Sequence, residues 1–366
     1  MSQPARVTFR NDAEKVAYVR REVNAASDAI RARFPLLDRQ NLVGASVMAA
    51  SVAAMLAIAW LYARGTLAWY VALPLAAFAT SLIHELEHDL IHLMYFKKTP
   101  WAYHLMMALC WLTRPGTINP WTRRRMHLHH HKVSGGESDL EEFGITNGER
   151  WGVKRLLMLA DGMLAVVLRP AAMRRKVKQY VAAQPVQDAA ERAQLRVEQV
   201  SSYMPVGHLY YALWHAFLVY HAGLFALHAF GYAVAVPTAV ERAMQAVDFL
   251  AVVWLGPNFV RSFCINFVSS NMHYFGDIDS RNVIQQTQVL NAWWMLPFQL
   301  FCFNFGSTHA IHHFVVRDPF YIRQLTAKTA HAALREAGVR FNDIGTFARA
   351  NRWGPYRARP GTQADL

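Results

Sequence analysis

The sequence predicts an all-α integral membrane protein, about four transmembrane helices carrying a cytoplasmic helical cap. Three observations predict it. Four segments are apolar and long enough to cross a bilayer. The 366 residues are 54% hydrophobic yet carry a net charge of +13, a combination that suits a membrane protein with basic aqueous faces better than a soluble domain. The charge is also segregated. Of 38 Lys and Arg residues, 35 fall on one side of the four spans, whereas Arg64 and Arg242 are alone on the other and Arg261 lies inside a span. The positive-inside rule makes the loaded face, with both termini, cytoplasmic; in a bacterium the membrane would be the inner one.

Taken in order, residues 1–42 form a basic N-terminal segment. Within it, 13–33 alternate charged and apolar positions at helical spacing, as expected for an amphipathic helix on the membrane surface or a solvated one. Arg20, Arg21, Arg31 and Arg33 argue against a cleavable signal. The first span is 43–63, closed by a tight turn at Arg64-Gly65, and the second runs over about 66–93. Residues 94–207 are polar and basic. Their apolar pieces, 103–112 and 156–168, are too short to span and are expected as interfacial or buried helices. The third span is expected over 209–236 and the fourth over 249–270. Residues 288–305, rich in Trp293, Trp294, Phe298, Phe301 and Phe303, suit a re-entrant or interfacial segment. With no internal repeat, 43–320 is one membrane domain and 321–366 a cytoplasmic tail. The three cysteines, Cys110, Cys264 and Cys302, are far apart in sequence, against a disulfide framework, a zinc knuckle or an iron–sulfur motif.

Histidines gather where these spans meet the basic face. His127, His129, His130 and His131 stand within five residues. His84, His88 and His92 are spaced i, i+4, i+8 at the end of the second span, His273 follows the fourth, and His309, His312 and His313 lie beyond. Neutral imidazole is the commonest protein ligand for iron, copper and zinc. His84 and His88 share a helix face. His92 drifts by roughly 80° from His84 and is expected to support rather than ligate. Glu85, Glu87 and Asp89 are placed to accept hydrogen bonds from ligand N–H groups. The spacing H-x-x-H-H occurs twice, at His127, His130, His131 and at His309, His312, His313. With His84, His88 and His273 these make nine imidazoles, too many for one ion and a sensible set for a dimetal site with open positions. His129 breaks the spacing and is expected not to ligate. Asn271, Asp139, Glu141, Glu142 and Asp277 are either supporting polar groups or solvated loop residues.

Arg261, ionisable inside an apolar span, is a functional candidate. It either holds an anionic head group or pairs with a carboxylate or backbone carbonyl. Arg123, Arg124 and Arg125 suit a carboxylate, a lipid phosphate or an acidic redox partner, or are a solvated charge run. His208, His215, His221 and His228 line the third span, better explained by interhelical hydrogen bonds than by haem.

These boxes resemble the membrane-bound fatty acid desaturase and hydroxylase superfamily, which includes alkane monooxygenases and a fatty-acid decarboxylase forming terminal alkenes. The resemblance covers about residues 80–320. His84-Glu85-Leu86-Glu87-His88 resembles the first box of alkane hydroxylases. His312-His313-Phe314 followed by Pro319 is similar to acyl-lipid desaturases, and His273, in Asn271-Met272-His273-Tyr274, stands where the family places an isolated ligand. His92 and His129 depart from the pattern. The resemblance implies two iron ions held by the nine histidines, O2 as co-substrate, and hydrogen abstraction from a fatty acyl or long aliphatic chain. It makes a fatty acid desaturase the first expectation, with decarboxylase and aliphatic hydroxylase as alternatives. A separate ferredoxin, rubredoxin or cytochrome is the expected electron donor, and no nucleic-acid partner is expected. From a different class, a non-catalytic metal transporter or sensor would use the same residues, although transport sites usually lie near the membrane midplane rather than at one edge.

Overall fold

The computed structural model describes residues 8–355; 1–7 and 356–366, the extremities of the N-terminal segment and the C-terminal tail, lie outside the described residues. Helices and turns account for the fold, with two isolated β-bridges, His273 to Thr287 and Val289 to Phe341.

Helix α1, Asp12–Arg33, opens where the Asn11 side chain accepts from the Glu14 amide, and it carries acidic residues in its first turn and basic ones in its last. Its apolar stripe, Val16, Val19 and Val23, packs on Ala330, Ala333 and Leu334 of a C-terminal helix. Ser27 and Arg31 reinforce that docking through Asp318, at 2.6 and 2.8 Å.

Helices α2, Gln40–Ala63, and α3, Trp69–Ile91, form a hairpin turned at Gly65, whose φ of +68° is open to glycine. They are the first two of four helices long and apolar enough to cross a membrane. Then come α4, Pro100–Thr113, and α5, Pro120–Val133, each with proline at its N-terminus, and α5 is capped by Asn119. Short helices build the cap: α6, Leu140–Gly144; α7, Val153–Ala160; α8, Gly162–Val167; α9, Pro170–Ala182; and α10, Ala189–Val200. The apolar pieces expected at 103–112 and 156–168 are thus α4 and the pair α7 and α8.

The third span, α11, Val206–Ala229, ends earlier than expected, before Gly231 at φ +82°. The fourth, α12, Thr238–Met272, begins earlier, at Thr238 rather than 249. Glu241, Arg242 and Asp248 hide its start from a hydropathy reading, and Asp248 bonds His221 of α11 at 2.7 Å. A π-helical turn at Ala251–Leu255 interrupts it. Residues 288–305 do not span. They form two short turns, Trp293–Met295 and Leu296–Leu300, with Trp293 and Leu296 exposed and Met295 buried.

Helices α13, Phe305–Phe314, and α14, Phe320–Glu336, complete the core. The segment expected as a tail is part of the packed fold. Arg323 of α14 is fully buried and bonds both Glu85 and Asp89 of α3 at 3.1 Å.

A candidate dimetal centre at the ends of four helices

The last turns of α3, all of α5, the C-terminus of α12 and all of α13 meet at one level and turn their histidines inward. His88, His92, His127 and His312 place one ring nitrogen each within 4.8 Å of one another. His130, His273 and His313 form a second such group. His131 joins the first, its Nε2 lying 3.1 Å from Nε2 of both His127 and His312. His309 joins the second, its Nε2 being 3.2 Å from that of His313.

His84 and His129 stand outside both groups. His84 is one turn deeper on α3, and the Arg114 guanidinium donates to its Nδ1 at 2.7 Å. His129 projects from the far side of α5, where Ser138 and Gln184 engage its two nitrogens at 2.9 and 3.2 Å. His92 enters the first group because α3 ends there. It is the C-cap residue, with φ −87° and ψ 8°, so the helical drift no longer fixes where its ring points. Its Nε2 lies 3.0 Å from Nε2 of His312.

Four of the nitrogens facing away from the centre are held. Nδ1 of His127 donates to Glu141 at 2.9 Å, that of His130 to Asp139 at 2.9 Å, that of His313 to Gln286 at 2.9 Å, and that of His273 to the Ser269 carbonyl at 3.1 Å. Each such bond fixes a tautomer whose Nε2 lone pair faces the centre. Glu142, bonded to Asn147, also lies 3.3 Å from His273 Nδ1. Gln286 comes from a one-turn helix, Val283–Gln286, that no sequence pattern connects to the boxes.

Glu85, Glu87 and Asp89 do not serve the histidines. On a helix they project away from the His84/His88 stripe. Glu87 binds Arg114 and, at 2.7 Å, Arg123; Glu85 and Asp89 share Arg323. Asp89 also accepts from Tyr95 at 2.8 Å and from the Phe320 amide at 2.9 Å. Its distance of 3.9 Å from His88 Nδ1 is too long for a hydrogen bond. The three carboxylates therefore lock α3 to α4, α5 and α14. Asp277 takes the Trp353 and Gly354 amides, and Asn271 is buried with its Nδ2 donating to Phe267.

The arginine run is fully engaged: Arg123 with Glu87, Arg124 with the Ile91 carbonyl at 3.0 Å, Arg125 with Glu198. On α11, His215 bonds Asp161 at 2.6 Å and His221 bonds Asp248, the interhelical role expected of them.

Burial keeps most of these imidazoles neutral, the form that binds metal. It holds His127, His131, His309, His312 and His313 well below the ordinary value and brings His92 to about 2 and His273 to about 3. His130 is the exception. Burial works to lower it, but Asp139, Glu142 and Glu141 outweigh burial and raise it to about 10.

The donor set fits a pair of transition-metal ions. Facing nitrogens at 3.0 to 3.4 Å need a cation or proton between them. Both nitrogens of His88 are buried without a partner. All-imidazole ligation suits iron, copper or zinc and not magnesium or calcium. Beside the centre lies a cavity of about 740 Å³, walled by His88, His127, His130, His273 and His309 and by apolar residues such as Met158, Val166 and Trp214. That volume is in the usual range for small-molecule sites.

A family model described as fatty acid desaturase matches residues 65–345. No curated protein matches the chain.

Proposed function

The chain belongs to the fatty acid desaturase family, and from that membership we propose that it is an O2-dependent, two-iron membrane oxidoreductase acting as a fatty acid desaturase. The observation that carries the reading is the pair of buried histidine groups forming one wall of a largely apolar cavity. His88, His92, His127, His131 and His312 would hold one ion, and His130, His273, His309 and His313 the other. Two iron ions bound there would supply the power to take hydrogen from an unactivated methylene, using O2 and two electrons. For desaturation the balance is a –CH2–CH2– unit, O2, two protons and two electrons giving –CH=CH– and two waters.

The chain's own residues orient and insulate. Glu141, Asp139, Gln286 and the Ser269 carbonyl fix the imidazole tautomers. Arg114 and Arg323, each on buried carboxylates, hold α3 against the elements that bring the other boxes. The apolar walls exclude water and align an aliphatic chain, and alignment within about an ångström decides which hydrogen is lost. The positive-inside rule supports a cytoplasmic histidine side, since the basic segments lie there. Electrons would arrive there from a separate ferredoxin, rubredoxin or cytochrome-type donor. The centre's place at one end of the spans counts against a transport site at the midplane.

A second reading, decarboxylation of a free fatty acid to a terminal alkene, is favoured by one observation: Arg261 lines the same cavity. Its balance is an acyl carboxylate, O2, three protons and two electrons giving the alkene, CO2 and two waters. Gas chromatography–mass spectrometry of lipids, free fatty acids and headspace, from cells making the wild type or His312→Ala, tests both. A new unsaturated chain lost in the variant, together with its iron, supports desaturation. A volatile alkene one carbon shorter than a cellular fatty acid supports decarboxylation. Protein that binds iron yet consumes no O2 with a reductant would overturn both.

A further inference from the structure

The geometry points to a carboxylate-binding site made by Arg261 and His84 in the wall of the histidine-lined cavity, so that the acyl substrate binds as the free acid with its carboxylate held in that wall. The inference deepens the proposed function, on which it rests for the identity of the chain attached to that carboxylate.

Arg261 is only 1% exposed, in an apolar stretch of α12. A guanidinium has five N–H donors. Its one hydrogen bond among the described residues is to Ser262 Oγ at 2.7 Å; Nε has no partner, and no described carboxylate lies within ion-pair distance. Arg114 and Arg323 also have nitrogens without a partner, but each guanidinium faces a carboxylate, Arg114 that of Glu87 and Arg323 those of Glu85 and Asp89, while Arg155 donates to Thr146, Asn351 and two carbonyls; Arg261 has neither a carboxylate nor such a set of acceptors. Glu87, one turn from His84, is already taken by Arg114 and Arg123. A desolvated cation without a counterion is strongly disfavoured, so the site is completed by an anion that enters through the cavity.

His84 supplies the second donor. An arginine can only donate, so His84 Nδ1 is an acceptor and its neutral ring carries the proton on Nε2. That nitrogen has no lone pair to offer a metal, and it is buried without a partner. Arg261 and His84 line the same cavity as His88, His127 and His309. A guanidinium and one N–H complement the two oxygens of a singly charged carboxylate. A bulky phosphorylated head group would compete with the chain for the roughly 740 Å³ available, and its natural partners are Arg174, Lys178 and Arg196 elsewhere on the cavity wall.

The test is equilibrium binding to the purified, iron-loaded full-length protein in nanodiscs with no electron donor present. Tritiated palmitate competes against unlabelled palmitate, methyl palmitate and palmitoyl-CoA. Wild type should prefer the acid to the ester by at least about tenfold, the scale of one charge-assisted hydrogen bond. Arg261→Gln should bring that ratio close to one while leaving ester affinity, iron content and Tm unchanged or Tm higher. Arg261→Lys should restore part of it, and His84→Ala should lower the ratio with iron retained. Equal binding of acid and ester by wild type would overturn the proposal. So would a fall in Tm with equal loss of both ligands in Arg261→Gln, which marks a structural arginine. Tighter binding of palmitoyl-CoA than of palmitate would overturn it in favour of a phosphate site. If wild-type protein holds no iron, the two-iron reading fails while the acid-to-ester ratio still reports on the carboxylate site.

Discussion

Gln286 accepts the Nδ1 proton of His313 at 2.9 Å, although the two residues are 27 apart in sequence and belong to different elements. The bond leaves His313 Nε2 facing His273 and His309. Gln286→Leu should weaken metal binding about 10- to 100-fold, the usual effect of removing a ligand's outer hydrogen bond. Gln286→Glu should keep most of it. Competition with a coloured chelator reads the difference, and unchanged affinity in the leucine variant would show that the amide does not orient the ring.

The extra histidines separate cleanly. His92→Ala should lose iron from the first group, whereas His129→Ala, which removes only bonds to Ser138 and Gln184, should keep it. Iron per protein, measured by plasma emission, decides between them, and equal loss in both variants would refute this division of α5 and α3.

Arg323 is a structural cation. Removing it leaves Glu85 and Asp89 buried with no arginine between them. Arg323→Met should destabilise the protein by about 3–5 kcal/mol, and Glu85→Gln with Asp89→Asn in the same chain should return part of that. Thermal unfolding in detergent measures both, and a Tm unchanged by Arg323→Met would show that the carboxylates find other partners.

Acid should unfold the metal-free protein. His92 and His273 titrate near 2 and 3 in the fold but near 6.5 when unfolded. Between those values the unfolded chain binds more protons, so stability is full above pH 6.5 and is lost progressively as pH falls towards 3. His130, raised to about 10, has the opposite sign. Its contribution is present below 6.5 and disappears as pH rises through 10. Urea unfolding of chelator-treated protein should therefore show a midpoint that rises from pH 4 to 6.5 and then declines as His130 begins to lose its contribution. A flat profile would mean that the other histidines do not stay neutral in the fold.

What the sequence made legible was whatever repeats or persists locally. Four spans stand out because hydropathy sums over twenty residues, and the histidine boxes because their spacing is helical. Partnerships across the fold leave no such trace. Nothing in the order of residues says that Glu85 faces Arg323 rather than His88, or that Gln286 lies under His313. His92 joins the first group although the helical drift points its ring away, because the helix stops at that residue. The start of α12 is masked in the sequence because Asp248 counts against a span, yet that charge is answered by His221 on the neighbouring helix.

The docking of α1 on α14 has a consequence for biogenesis. A ribosome makes α1 before the four spans and α14 after them, so the apolar stripe of Val16, Val19 and Val23 lacks its α14 partner while those spans insert. During that interval the nascent helix has the pattern of a membrane-surface helix, and the bilayer is the apolar surface at hand. Arg323 reaches Glu85 and Asp89 only after all four spans have been made. Metal loading at the histidine groups would therefore follow the synthesis of α13, and the closing of α1 on α14 would come later still.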